Sequence, residues 1–233
     1  MTGLWWKDKR MEREIDLKEI SDGRFYDLND MVKAGCDDCR GCSACCRGMG
    51  ESILLDPLDI FRLTDCRKCS FEQLLDSCIE LHVVDGVILP NLKMAGEEEA
   101  CTFLNAEGRC SIHPFRPGIC RLFPLGRCYE EGTFRYFLQV HECPKENKTK
   151  VKVKKWIDTP DLKRNQEFIT AWHYFLKDVQ KLTEGCAQDA LQKKICMYVL
   201  NQFYVQPYDR TGDFYEQFDL RLREAKRYLG IAG

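Results

Sequence analysis

The sequence has no apolar run of the ~18 residues that a membrane-spanning helix needs. Acidic and basic side chains nearly balance at a net charge of −2, so no overall field would attract nucleic acid or an anionic membrane. The N-terminal stretch is charged from Lys7 onward, without an apolar core or a cleavage site, so we expect no secretory leader. These absences predict a cytoplasmic protein that binds neither nucleic acid nor a membrane.

Motifs of several common enzyme classes are also missing. The chain shows no phosphate-binding loop, no glycine-rich dinucleotide fingerprint and no Ser–His–Asp arrangement. It has no internal repeat and no low-complexity tract either. The sequence therefore identifies no catalytic residue, and whether the protein is an enzyme stays open.

Cysteine, in contrast, is abundant, with 15 among 233 residues. An odd number excludes complete pairing within the chain. In a reducing cytosol, clustered cysteines more often bind metal or perform redox chemistry than form a disulfide framework. We therefore expect thiols held together by bound metal, and not by disulfide bonds.

The densest cysteine stretch is "CDDCRGCSACCRGMG", which begins at Cys36. A Cys-x-x-Cys unit directs two thiolates at one centre and suits either tetrahedral zinc or the corners of an iron–sulfur cube. Cys36, Cys39, Cys42 and Cys45 follow at a strict spacing of three, and ferredoxin-type chains present three ligands in the pattern Cys-x₂-Cys-x₂-Cys. Cys45 and Cys46 are adjacent and should diverge, which predicts two centres or one larger cluster with an extra ligand.

Further ligands are expected later in the chain. Cys101 and Cys110 flank a predicted hairpin that would bring their thiols together, and Cys120 and Cys128 follow. Cys143 precedes a proline, an arrangement found at the last ligand of iron–sulfur sites. His113 and His141 are weaker candidates because each merely neighbours a cysteine.

Other cysteines have separate interpretations. Cys66 and Cys69 form another Cys-x-x-Cys between two predicted helices and are a candidate metal or redox site of their own. Cys78, Cys186 and Cys196 lie on predicted helix faces, where small core residues are expected.

A thiolate-bound metal centre needs compensating charge. Four thiolates around Zn²⁺ or an oxidised four-iron cube leave about −2 of charge in a poorly solvated place. Arginines adjoin many of the cysteines. We expect Arg116 and Arg121 to donate hydrogen bonds to the bound group, with surface positions as the alternative.

Local signals predict an α+β fold. A small cysteine-rich core of β-hairpins and short helices would surround the metal site, and a bundle of about three helices would follow. Asp56 and Ser70 are suitable N-caps for two short helices. Turn residues at Asp85-Gly86, at 105–108 and at Gly132 predict hairpins. Apolar stripes at helical spacing predict the C-terminal helices at 168–182, 191–203 and 214–229.

Three consecutive regions are predicted. Residues 1–35 would form a polar N-terminal extension, in which Trp5, Trp6 and Met11 either are ordinary packing residues or anchor the extension to the body. Residues 36–145 would form the cysteine-cluster metal-binding domain, and residues 146–233 the C-terminal helical region.

With these residues in view, the chain resembles the YkgJ-like cysteine-cluster family, a family of zinc- or iron-chelating domains with the signature CxxCxxCC. The resemblance covers about residues 39–144 and includes "ILLDPLDIFRL", "CTFLNAEGRCSIHPFRPGICRLFPLGR" and "HECP". It implies that Arg116, Pro117 and Arg121 are signature neighbours, whereas Cys36 and Cys128 are additions. The metal ligands that it implies are Cys39, Cys42, Cys45, Cys46, Cys101, Cys110, Cys120 and Cys143.

The leading functional hypothesis is a metal-chelating protein with a redox, sensory or structural centre. We favour a [4Fe-4S] cluster over Zn²⁺ because of the three-cysteine run and the remote Cys-Pro pair. The cysteine region is also similar to that of flagellin lysine methylases, which are longer, so an S-adenosylmethionine-dependent protein lysine methylase is one alternative. The other is a zinc-stabilised interaction module whose C-terminal helices bind a protein partner.

Overall fold

The computed structural model describes residues 17–39, 42–186 and 188–232. Within them the protein combines small antiparallel sheets with C-terminal helices, which confirms the predicted α+β class. None of the described helices is long and apolar enough to cross a membrane. The predicted anchors Trp5, Trp6 and Met11 lie outside the described residues.

The helices are α1 (Leu17–Ile20), α2 (Pro57–Arg67), α3 (Phe71–Ser77), α4 (Gly118–Leu122), α5 (Val153–Ile157), α6 (Leu162–Glu184), α7 (Asp189–Leu200) and α8 (Phe214–Leu229). The strands are β1 (Ser21–Tyr26), β2 (Met31–Gly35), β3 (Ile79–Val84), β4 (Val87–Leu92), β5 (Met94–Ala95), β6 (Ala100–Cys101), β7 (Leu125–Glu130), β8 (Thr133–Gln139) and β9 (Thr149–Lys152).

The backbone packs into two compact units, each built from separate stretches of the chain. The described part of the first covers Leu54–Asn91, 171–186 and 188–232, and we call it the helical unit. That of the second covers 17–39, 42–53 and Leu92–Thr170, and we call it the cysteine unit. These units are defined by packing, whereas the three consecutive regions predicted from the sequence follow cysteine content and stay a prediction.

Both helix starts predicted in the helical unit are confirmed. The Asp56 carboxylate accepts a hydrogen bond from the Asp59 backbone N–H at 2.8 Å, and the Asp59 carboxylate accepts one from the Asp56 N–H. Ser70 and Gln73 form the same reciprocal pair at the start of α3. Each capping box satisfies two N–H groups that a helix end leaves without partners.

The core of the helical unit is aromatic. Phe203 lies 4.9 Å from Trp172 and 5.3 Å from Phe175 between ring centroids, and Phe203 and Phe218 are fully buried. The three predicted helical stripes therefore correspond to α6, α7 and α8. Leu191 is an exception, since it lies in the first turn of α7 and is 47% exposed.

The cysteine unit is built on an antiparallel sheet in the order β1, β8, β7. Strands β7 and β8 form the hairpin predicted around Gly132, and both Glu131 and Gly132 have the positive φ that its tight turn requires. Phe134 and Tyr136 alternate inward along β8 as expected. Smaller sheets pair β2 with β9 and β5 with β6.

The N-terminal part contains strands that the sequence analysis missed. Residues 21–35, assigned to a polar extension, include β1 and β2. Strand β1 pairs with β8 and β2 pairs with β9, so both depend on partners more than a hundred residues away. Four of the six β1 residues are exposed, so no apolar alternation marks the strand.

Candidate metal centre

Tight turns shape the densest cysteine stretch. The backbone N–H of Cys42 donates to the Cys39 carbonyl at 3.0 Å, and the N–H of Cys46 donates to the Ser43 carbonyl at 2.9 Å. Asp37–Cys39 and Ala44–Cys46 are single 3₁₀ turns, and Cys39 has a φ of +58°. Because each turn closes within four residues, the thiols of this segment stay close to one another.

A cavity of the cysteine unit is lined by five cysteines: Cys36, Cys39, Cys42, Cys45 and Cys143. Phe123, Pro124, Pro144 and Trp156 supply apolar walls, and Lys145 also lines it. The Trp156 indole N–H lies 3.2 Å from the carbonyls of both Leu122 and Phe123, which fixes this wall. Thiols at 36–45 thus meet the Cys143-Pro144 pair, far away in the sequence.

One sulfur pair in this cavity has a separation that suits metal binding. The Sγ atoms of Cys36 and Cys39 lie 3.7 Å apart. Thiolates around one Zn²⁺ at a Zn–S distance of about 2.3 Å are about 3.8 Å apart in a tetrahedron. Among the described residues, no three or more Cys, His, Asp or Glu side chains are already arranged to hold an ion. Binding would therefore require the remaining thiols to turn toward the Cys36–Cys39 pair.

Three thiols of this region have pKa values raised above the ordinary value of cysteine. Burial and the neighbouring Cys36 raise the pKa of Cys39 to about 12. Hydrogen bonding by the adjacent Cys46, together with burial, raises the pKa of Cys45, and the predicted divergence of these two thiols stays a prediction. Burial raises the pKa of Cys110, and the nearby Cys45 adds to it. Metal binding must displace these protons.

Arg116 is the cation that these thiols share. Its guanidinium opposes the rise in the pKa values of Cys39, Cys45 and Cys110, so it lies within electrostatic range of all three. Its Nη1 atom lies 2.8 Å from His113 Nε2, whereas its buried Nε has no hydrogen-bond partner within the described part of the chain. A buried donor of this kind suits an acceptor such as a thiolate or a sulfide.

Arg121 has a different environment from Arg116. It is 7% exposed, and its guanidinium donates to the carbonyls of Arg116, Asp158 and Pro114. Two of these carbonyls belong to the turn that carries Arg116. Arg121 therefore holds the backbone beside the thiols, and a direct hydrogen bond from Arg121 to a bound group stays a prediction.

Four of the predicted ligands lie outside the lining of this cavity: Cys46, Cys101, Cys110 and Cys120. Cys110 pairs with Leu104 in the predicted hairpin, so Cys101 is not its direct cross-strand partner, and the approach of the two thiols stays a prediction. The hairpin is shorter than expected because the chain already turns between Cys101 and Leu104. Cys120 lies on α4.

The remaining cysteines lie elsewhere. Cys128 is on β7, opposite Arg135. Cys66 and Cys69 flank the left-handed Lys68 that ends α2, and burial raises the pKa of Cys69, which disfavours a reactive thiolate there. As expected for small core residues, Cys78 and Cys196 are buried, whereas Cys186 is only partly buried.

Sequence reasoning undervalued Cys36 and did not identify Lys145 or Trp156 as site residues. The spacing of Cys36 from Cys39 was a sufficient signal for the first. Lys145 and Trp156 line the cavity because the later chain packs beside the cysteine segment. No local sequence pattern predicts that long-range contact.

Comparison with known protein families supports metal chelation by this part of the chain. A family model named CxxCxxCC and described as "Putative zinc- or iron-chelating domain" matches residues 38–144. No curated protein and no solved structure matches the chain. The matched range contains four of the five cavity cysteines, and Cys36 lies just before it. Over residues 38–144, the chain is thus similar to the CxxCxxCC family of zinc- or iron-chelating domains.

Proposed function

We propose that the chain binds a [4Fe-4S] cluster through Cys36, Cys39, Cys42 and Cys143. The observation that supports this most is the cavity that these four thiols line together. Three of them have the Cys-x₂-Cys-x₂-Cys spacing and the fourth precedes Pro144, the combination used by ferredoxin-type sites. When bound, the cluster would supply one-electron redox chemistry, a sensory response to oxidants or a structural link.

The walls of the cavity suit such a cluster. Phe123, Pro124 and Trp156 are apolar, and the Trp156 hydrogen bonds hold that side in place. Apolar walls limit the access of water to the iron and to the sulfides, which protects the cluster and tunes its potential.

The charge of the cluster also has partners. An oxidised four-iron cube with four thiolates carries about −2 of charge, which needs donors and cations close by. Arg116 supplies a buried N–H without an acceptor within the described residues, and Lys145 lines the cavity. Both groups would stabilise the bound cluster relative to the free thiols.

A single Zn²⁺ ion is the second candidate, and one observation favours it. The Cys36–Cys39 sulfur distance of 3.7 Å matches the edge of a ZnS₄ tetrahedron. Thiolates that bind separate iron corners of a cube lie farther apart than that. With zinc, the centre would be structural, and removing the ion would unfold the surrounding segment.

Anaerobic purification of the full chain tests the proposal. We expect a coloured protein with equal amounts of iron and acid-labile sulfide, and loss of both in Cys36→Ser and Cys143→Ser. Cys186→Ser is the matched control, because that thiol lies in the helical unit and should leave iron and sulfide unchanged. A colourless protein with stoichiometric zinc would support the second candidate, and a protein without bound metal would refute both.

A further inference from the structure

The two-stranded sheet of β2 and β9 presents a lysine-rich surface in the cysteine unit. Met31 of β2 lies opposite Lys152 of β9, whereas the next residue of β2, Val32, is fully buried. Successive side chains of a strand point to opposite faces of the sheet, so the exposed positions of both strands share the outer face. We call this outer face the lysine face, and its exposed side chains are Met31, Lys33, Lys150 and Lys152.

The positive charge of the lysine face has little compensation nearby. Within the described part of the chain, its three lysines form no ion pair with a carboxylate. The flanking stretch 145–155 contains six lysines and one acidic residue, Glu146. At the border of the face, the Asp30 carboxylate accepts a backbone hydrogen bond at 2.7 Å. Because the whole chain has a net charge of −2, this surface is a local concentration of positive charge that attracts anionic groups.

The backbone that carries the lysine face is held in place. The N–H of Val153 donates to the Asp30 carbonyl at 3.0 Å, and the N–H of Lys154 donates to the Leu28 carbonyl at 2.9 Å. Val153 is also fully buried, directly after the end of β9. The lysines therefore project from a fixed backbone, and a partner that binds them has to restrict only their side chains.

The lysine face adjoins the candidate metal centre. Lys148 directly precedes β9, and its ammonium group donates to the Cys143 carbonyl at 2.9 Å. Lys145, three residues earlier, lines the cavity that contains the Cys143 thiol. A molecule that covers the lysine face would therefore lie beside that cavity.

We propose that the lysine face binds an acidic segment of a partner protein. Lysine ammonium groups are mobile point charges that pair with carboxylates, and Met31, which is 50% exposed, adds an adaptable apolar contact. Surfaces that bind single-stranded nucleic acid combine cations with aromatic side chains on which the bases stack. The lysine face, as defined by its four described residues, includes no aromatic side chain. The inference does not require the candidate centre to hold either a cluster or zinc.

Fluorescence anisotropy with the full chain and a labelled oligoglutamate peptide tests this surface. We expect the wild type to bind the peptide at low ionic strength, and binding to weaken as salt is added. Lys150→Gln/Lys152→Gln should weaken binding about fivefold to tenfold. The matched control is Lys163→Gln/Lys181→Gln, which removes the same charge from exposed positions of α6 where each lysine already lies beside a carboxylate. The control should bind as the wild type does.

Three results would overturn the inference. The first is that the wild type does not bind the peptide, and the second is an equal loss of affinity in the two double variants. The third is tighter binding to an oligothymidylate of equal charge, or to phosphatidylserine vesicles, than to the peptide, since this would assign the face to nucleic acid or to a membrane.

Lysine acetylation of the unmodified sequence gives a second measurement that does not depend on the folding of a variant. Bound peptide should slow the acetylation of Lys33, Lys150 and Lys152 and leave the rate at Lys163 unchanged. Equal slowing at all four lysines, or slowing at none of them, would contradict binding at the lysine face.

Discussion

Replacing Arg121 with methionine should destabilise the cysteine unit and weaken metal binding together. The change keeps an unbranched side chain in place but removes a guanidinium that donates to the carbonyls of Arg116, Asp158 and Pro114. A hydrogen bond from a charged donor contributes about 1.5–3 kcal/mol. The contributions of the three hydrogen bonds do not add fully, because water can reach some of the carbonyls that lose their donor. We therefore expect the free energy of unfolding to fall by about 3–5 kcal/mol.

Urea denaturation of the metal-free Arg121→Met protein measures this loss. Arg135→Met is the matched control, because Arg135 is half exposed and pairs with Glu130 at 3.2 Å over the Phe25 ring. Exposed ion pairs and cation–π contacts contribute about 1 kcal/mol at most. Arg121→Met should also need more metal for half saturation, because the turn that carries Arg116 loses its anchor. Equal losses of stability in the two variants would refute the anchoring role of Arg121.

Three further predictions concern pH, a helix cap and a close contact. The metal-free protein should lose stability as the pH rises from 9.0, the ordinary pKa of cysteine, to about 12, the pKa of Cys39 in the folded protein. The reason is that the thiol of the unfolded chain ionises at the lower pH. A urea midpoint that does not change with pH, or that changes equally in Cys39→Ser, would contradict this prediction. Asp56→Ala should lower the free energy of unfolding by about 1 kcal/mol, because the capping box is lost. Asp76→Ala, at an exposed position of α3, is the control and should have little effect in the same urea titration. Equal effects of the two substitutions would contradict the capping role of Asp56. Gly126→Ala should lower the free energy of unfolding by about 1–3 kcal/mol, because the new Cβ would overlap the Phe137 ring. An unchanged thermal midpoint would contradict this and would show that the ring moves freely.

Short-range features of the fold were predictable from the sequence because their signals are local. The capping boxes at Asp56 and Ser70 need only four residues, and the Asp85-Gly86 turn needs two residues with positive φ. The aromatic stripes of α6 and α8 follow from helical periodicity and burial. Each of these elements is specified by residues that are neighbours in the chain.

Features that depend on distant partners were not predictable. Strand β1 exists because β8 supplies its hydrogen bonds, and its own residues are mostly polar and exposed. The buried Arg121 guanidinium donates to backbone carbonyls beside the turn that carries Arg116. Sequence spacing alone cannot distinguish this anchoring role from the role of a cation near the thiols, which belongs to Arg116. The antiparallel bridge between Arg47 and Ala100 likewise joins residues more than fifty positions apart.

The candidate site also combines local signals that were predictable with long-range contacts that were not. The three-cysteine run and the Cys143-Pro144 pair were visible as separate motifs, and the fold places both at one cavity. Cys36 was set aside because the family signature begins after it, although its sulfur lies 3.7 Å from that of Cys39. Family patterns thus predict a set of shared ligands, while packing indicates one further candidate thiol in this chain.

The most direct test of the account is anomalous diffraction from crystals of the anaerobically prepared, metal-loaded full chain. The account predicts an iron or zinc peak in the cavity, within bonding distance of Cys36, Cys39, Cys42 and Cys143. A fully loaded protein whose anomalous peaks all lie away from these four sulfurs would contradict it.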